Sequence, residues 1–139
     1  MRSVLLVSHG TMAKGVFEAT NMIFGELKDV LYLCLEKDMD IESFKLKLDG
    51  LIDSIKNSTE IIVFADLKGG SPYTAALTLL SEKGLLSKSK VISGLNLPML
   101  LSILFIEGEI AQEDVESIMN SGKEGITQFE LEIDDNESL

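Results

Sequence analysis

Short apolar runs alternate along this chain with segments of helical period, the signature of a sheet built from βαβ units. The first run, Val4-Leu5-Leu6-Val7, stops at Ser8-His9-Gly10-Thr11 and reads as a buried parallel strand. Met12, Val16, Ala19 and Ile23 then recur at spacings of three and four, predicting a helix that Gly25 ends. A second strand covers Val30 to Leu35. Asp40 or Asp38 caps the next helix, with Ile41, Phe44, Leu48, Leu51 and Ile55 on one face. The third strand, Glu60 to Ala65, is apolar on both faces, as central parallel strands are.

Ser71-Pro72 then reads as an N-cap serine with proline at the first helical position. Ala75, Ala76, Leu79 and Leu80 extend that helix toward Gly84. A fourth strand is expected at Lys90 to Ser93, followed by a helix from Met99 to Phe105 capped by Asn96, and another from Ala111 to Asn120. Finally Phe129, Leu131 and Ile133 alternate with Glu130, Glu132 and Asp134, the pattern of a half-buried strand over Ile126 to Ile133. Residues 1–133 are read as one domain and residues 134–139 as an acidic, frayed tail.

Charge and composition narrow the chemistry. A net charge of −11 disfavours nucleic acid and anionic membrane surfaces as partners. Any phosphoryl group must therefore be held locally, by oriented amides and hydroxyls. Cys34 is the only cysteine and lies in an apolar stretch, which excludes an intrachain disulfide and a multi-cysteine zinc site and marks a core residue. The start, Met1-Arg2-Ser3, runs straight into a strand without a signal-peptide apolar region, so a cytoplasmic location is expected.

The only histidine, His9, ends the first strand, and Asp66 ends the third. In a doubly wound sheet whose order reverses after the first crossover, these strands are neighbours and their carboxyl ends flank one crevice. A carboxylate beside an imidazole fixes the tautomer and leaves the other ring nitrogen as a nucleophile, for which a phosphoryl group is a natural electrophile. The turns at Gly10-Thr11 and Gly69-Gly70-Ser71 open helices whose first amides carry the positive end of the helix dipole. His9 is thus the candidate phosphoryl acceptor and Asp66 its orienter. Ser71, Gly70, Thr11 and Gly10 are the candidate phosphoryl-binding residues. The spacing is not that of a Walker phosphate loop, and one histidine without clustered ligands gives no metal site. A phosphatase would need arginine clamps, and the only arginine, Arg2, lies at the far end of the first strand.

Four segments occur in order: Val7-Ser8-His9-Gly10, Asp66-x-x-Gly69-Gly70-Ser71-Pro72, Gly94-Leu95-Asn96-Leu97-Pro98-Met99-Leu100 and Gly122-Lys123-Glu124-Gly125-Ile126. Together they resemble the EIIA component of the mannose family of the bacterial sugar phosphotransferase system, over Ser3 to about Phe129. The resemblance implies a three-layer, doubly wound α/β fold with sheet order 2-1-3-4. It also implies a last antiparallel strand exchanged in a homodimer. Phosphohistidine on HPr would donate to Nε2 of His9, which would pass the phosphoryl group to EIIB. Asp66 would orient the ring, and the Ser71 hydroxyl and amide would contact the phosphoryl group. No cofactor is implied, and the membrane is met only through the transporter complex. Lys68 stands where members can carry tryptophan and Thr74 where asparagine occurs, which bears on partner fit. The chain ends soon after the last strand, so a free-standing subunit is expected. The phosphotransfer subunit of a dihydroxyacetone kinase and a regulatory domain of the same fold are the alternatives.

Overall fold

The computed structural model describes residues 1–132. The chain runs β1 (Arg2–His9), α1 (Met12–Phe24), β2 (Val30–Leu35), α2 (Ile41–Ile55), β3 (Glu60–Ala65), α3 (Ser71–Glu82), β4 (Ser89–Ser93), α4 (Leu97–Leu104) and α5 (Gln112–Glu124). A short 3-10 turn, Leu86–Lys88, leads into β4. The four strands form one parallel sheet in the order β2-β1-β3-β4.

Alternation along β1 and β3 divides the core into two layers. Val4, Leu6, Ile62 and Phe64 face the side covered by α1, α4 and α5. Leu5, Val7, Ile61, Val63 and Ala65 face the side covered by α2 and α3. Both strands are buried on both faces, and each fully buried Leu, Ile or Phe contributes about 1.5–3 kcal/mol of transfer free energy. Right-handed crossovers account for the topology. The chain steps outward from β1 to β2 with α1 on one face. It then returns past β1 to β3 and on to β4 with α2 and α3 on the other. The connections leaving β1 and β3 therefore diverge to opposite faces and open a crevice between those strand ends.

Local chemistry sets the helix ends. The Asp40 side chain caps α2 by accepting the Ser43 N–H at 2.7 Å, and that bond holds its carboxyl below the ordinary value. Lys83, beyond α3, clasps Asp49 and Asp53 of α2 at 2.8 and 2.7 Å, and the two carboxylates raise the ammonium above its ordinary value. At the amino end of the sheet Arg2 donates to Glu60 at 2.8 Å and to the carbonyls of Ile106 and Gly108. The buried Glu60 also accepts the Ile110 N–H, tying the α4–α5 connection to the sheet. A cavity of about 520 Å³ beside Arg2 and Glu60 opens at this end, away from His9.

Two of the four sequence segments prove to be partners in packing. The Asn96 carbonyl oxygen caps α4 by accepting the Met99 N–H at 3.1 Å, while its amide donates to the Gly122 carbonyl of α5 at 3.0 Å. A Cβ on Gly122 would stand 2.6 Å from Met99 Cγ, and one on Gly125 would stand 2.8 Å from Pro98 Cγ. These glycines let α5 approach α4, which explains a glycine inside a helix that it otherwise weakens.

Several expectations change, among them the bounds of α4, which runs from Leu97 to Leu104 rather than from Met99 to Phe105. The buried stripe of α1 is Ala13 and Thr20, with Val16 and Phe17 partly buried, whereas Met12 and Ile23 are 42% and 62% exposed. Thr20 is tolerated inside because its hydroxyl donates to the Val16 carbonyl at 2.7 Å, and small Ala13 allows close approach to β1. Helix α5 continues to Glu124, past the expected end at Asn120, because its Gly122 turn packs on α4. Residues 126–132 form no strand, and Phe129 and Leu131 are 85% and 77% exposed, since no sheet edge among the described residues meets them. Ile133 and the 134–139 tail lie outside the described residues. No helix among those residues is long and apolar enough to cross a membrane.

Candidate functional site

β1 and β3 pair in parallel with Val7 opposite Ala65, so the chain reaches His9 and Asp66 at the same end of neighbouring strands. They are 57 positions apart in sequence, yet one carboxylate oxygen, Asp66 Oδ2, receives both the backbone N–H and the ring Nδ1 of His9, each at 2.9 Å. An ionised carboxylate only accepts. Nδ1 therefore carries a proton, and the neutral ring presents Nε2 as a lone pair. The His9 side chain is 46% exposed while that of Asp66 is 12% exposed. The imidazole is thus half exposed while the carboxylate beside it is sheltered. Asp66 Oδ1 is buried without a hydrogen-bond partner among the described residues.

Gly10 turns the chain out of β1 at φ +56, a region that favours glycine, and no atom lies within 4 Å of a Cβ built there. Its N–H donates to the Leu35 carbonyl at 2.8 Å, and the Gly70 N–H donates to the Leu67 carbonyl at 3.1 Å. The first amide is committed to the end of β2 and the second to its own turn. The Thr11 and Ser71 amides make no backbone hydrogen bond among the described residues and remain available where α1 and α3 begin. Ser71 is the first residue of α3 rather than its cap: Gly70 occupies the cap position in extended conformation, and no side chain caps the helix. The Ser71 side chain is thereby not used to close its own helix.

Sequence reasoning gave Ser8 no role, although a lone hydroxyl at the end of an apolar strand was the available signal. Its buried Oγ accepts the Ala13 N–H at 2.7 Å, taking the capping part that the Thr11 side chain does not play. This bond ties the start of α1 to the strand that carries His9. Ser8→Ala leaves a buried donor unpaired and is expected to cost about 1–3 kcal/mol of stability, read as a lowered urea midpoint. An unchanged midpoint would contradict that role.

Lys68 and Thr74 are both exposed near the site. No group of three histidine, cysteine, aspartate or glutamate side chains among the described residues is arranged to hold a metal ion. Cys34 is buried in the core.

A family model described as the fructose IIA component of the phosphotransferase system, EIIA-man, matches residues 3–120. The chain belongs to the mannose-type EIIA family. It is 29% identical over 115 residues to the fructose-specific EIIA component of Bacillus subtilis (strain 168), covering 83% of this chain and 77% of that protein. It is 31% identical over 100 residues to the sorbose-specific EIIA component of Lacticaseibacillus casei, covering 72% and 70%. Among solved structures, the mannose/sorbose-specific IIA subunit from Enterococcus faecalis superposes with a TM-score of 0.82 at 28% identity, over 95% of this chain and 97% of that one. The α/β fold with strand order 2-1-3-4 is thus that of mannose-type EIIA components. The match also sets the His9–Asp66 pair within a family that works in the sugar phosphotransferase relay.

Proposed function

We propose that this EIIA component accepts a phosphoryl group on Nε2 of His9 from phosphohistidine on HPr and passes it to an EIIB partner in the cytoplasm during sugar uptake. The observation that carries the proposal is the double acceptance by Asp66 Oδ2 of the His9 backbone and ring N–H groups. It supports a ring protonated at Nδ1, with the Nε2 lone pair open on a side chain that is 46% exposed. In the transfer, the Nε2 lone pair forms a bond to phosphorus while the N–P bond of the donor breaks, and the donor imidazole leaves with the bonding pair. Nδ1 keeps its proton. The positive charge on the phosphorylated ring then rests against the Asp66 carboxylate, which stabilises it. The free Thr11 and Ser71 amides and the Ser71 hydroxyl receive the phosphoryl oxygens. Gly10 and Gly70 serve by lacking side chains, since their amides are engaged. An exposed histidine suits exchange between proteins, where each partner must reach the same phosphorus atom.

The test is direct. With phosphoenolpyruvate, enzyme I and HPr, the protein should gain one acid-labile phosphoryl group, which added EIIB then removes. Label that appears without HPr, or that EIIB cannot discharge, would overturn the relay.

A homodimer belongs to the same proposal. The exposed Phe129 and Leu131 need a sheet edge, and β4 is the edge strand beside β3. A second copy supplies that edge if residues from 126 onward are exchanged. Sedimentation should give a dimer for the full chain and a monomer for a chain cut after Gly125. A full chain that sediments as a monomer would remove the exchange.

A further inference from the structure

Gly69 and Gly70 are both glycine for different reasons, and the second reason concerns the imidazole. Gly69 has φ +81 with open space around it, so its backbone requires glycine. Gly70 has φ −71 and ψ 165, an extended conformation open to any residue. What a side chain meets there is His9: a Cβ on Gly70 would lie 2.7 Å from the ring carbon Cε1 and 3.4 Å from Nε2. On its other side the same Cβ would lie 3.3 Å from the Leu67 carbonyl oxygen, which is held in place by the Gly70 N–H at 3.1 Å. The methyl group cannot retreat into its own turn, so the ring must yield.

We infer that Gly70 is a positioning residue, the seat on which the His9 ring rests so that Nδ1 stays on Asp66 and Nε2 stays beside the start of α3. The ring is therefore fixed from two sides, by a hydrogen bond at Nδ1 and by the bare Cα of Gly70 against Cε1. Cε1 lies between the two nitrogens, so displacing it moves both. The Nδ1–Oδ2 contact lengthens from 2.9 Å and the tautomer loses its lock. The consequence for transfer rests on His9 being the phosphoryl acceptor; the consequence for the ring does not.

Gly70→Ala tests it. Ring nitrogen chemical shifts of 15N-histidine protein should report the Nδ1–H form in the wild type and a mixture of both neutral forms in the variant. Phosphoryl acceptance from HPr should fall about 10²-fold, the scale expected when a reacting group is misplaced by about 1 Å. A double-mutant cycle isolates the contact: any loss in unfolding midpoint caused by Gly70→Ala should vanish in the His9→Ala background, where the methyl meets no ring. An unchanged tautomer in Gly70→Ala overturns the seat, whatever happens to transfer. So does an equal loss of midpoint in both backgrounds, whereas a wild-type transfer rate with an altered tautomer counts against the relay reading of the ring and not against the seat. A wild type that takes no phosphoryl group on His9 counts against the relay instead, and the nitrogen shifts still decide the seat.

Discussion

His9→Ala should accept no phosphoryl group from HPr above the background measured without HPr, while keeping its circular dichroism spectrum and cooperative unfolding. The loss is total because no other histidine exists in the chain to take over. The fold should survive because the ring is 46% exposed and fills no core space. The backbone contacts of His9, its N–H to Asp66 Oδ2 and its register with Leu35 of β2, persist in alanine. Radiolabel transfer followed on gels resolves the outcome. Phosphoryl incorporation in His9→Ala at the wild-type level would move the acceptor elsewhere and end the assignment.

Asp66→Asn should keep the fold and slow transfer by about 10²–10³-fold, the range seen when one preorganised charge-stabilising group is removed from a reaction centre. Two physical losses add. The neutral amide no longer compensates the positive charge that builds on the ring as Nε2 bonds to phosphorus. Its NH2 group, if turned toward His9, is a donor and cannot accept the two N–H groups that one carboxylate oxygen now accepts. Single-turnover rates at saturating phospho-HPr separate this effect from weaker docking, since a chemical defect persists at saturation. A rate within a factor of about three of wild type would show that the carboxylate charge does not act in the step.

Much of this architecture was written in local pattern. β2 and β3 begin and end where their apolar runs do, and Asn96 caps α4 as expected, although the helix starts at Leu97 rather than Met99. The His9–Asp66 pairing followed from placing both at strand ends in a sheet whose order reverses between β1 and β3. Features that depend on a neighbour's shape were not legible. The inward face of α1 is rotated from Met12 and Ile23 toward Ala13 and Thr20, because contact with β1 favours small side chains and Thr20 satisfies its own hydroxyl. Helix α5 runs through Gly122 because α4 presses against it there, which no helix propensity shows.

The site divides in the same way. The strand-end residues could be named from sequence, but the use of each amide could not. Gly10 spends its N–H on Leu35 at the end of β2 and Gly70 spends its own within its turn, and only hydrogen-bond partners reveal that the Thr11 and Ser71 amides make no backbone bond among the described residues. Ser8 is the clearest omission: a hydroxyl within a strand end gains its meaning only when the first turn of α1 folds back onto it. Patterns 126–132 present the opposite case. The alternation of apolar and acidic residues was legible, but residues 126–132 pair with no strand among the described residues.

The most direct measurement is nuclear magnetic resonance of the 15N-histidine-labelled protein phosphorylated through HPr. Phosphorus–nitrogen coupling should appear at Nε2 of His9, with Nδ1 still protonated and bonded to Asp66. Coupling at Nδ1, or phosphorus bonded to any other residue, would contradict the orientation that Asp66 imposes and the relay built upon it.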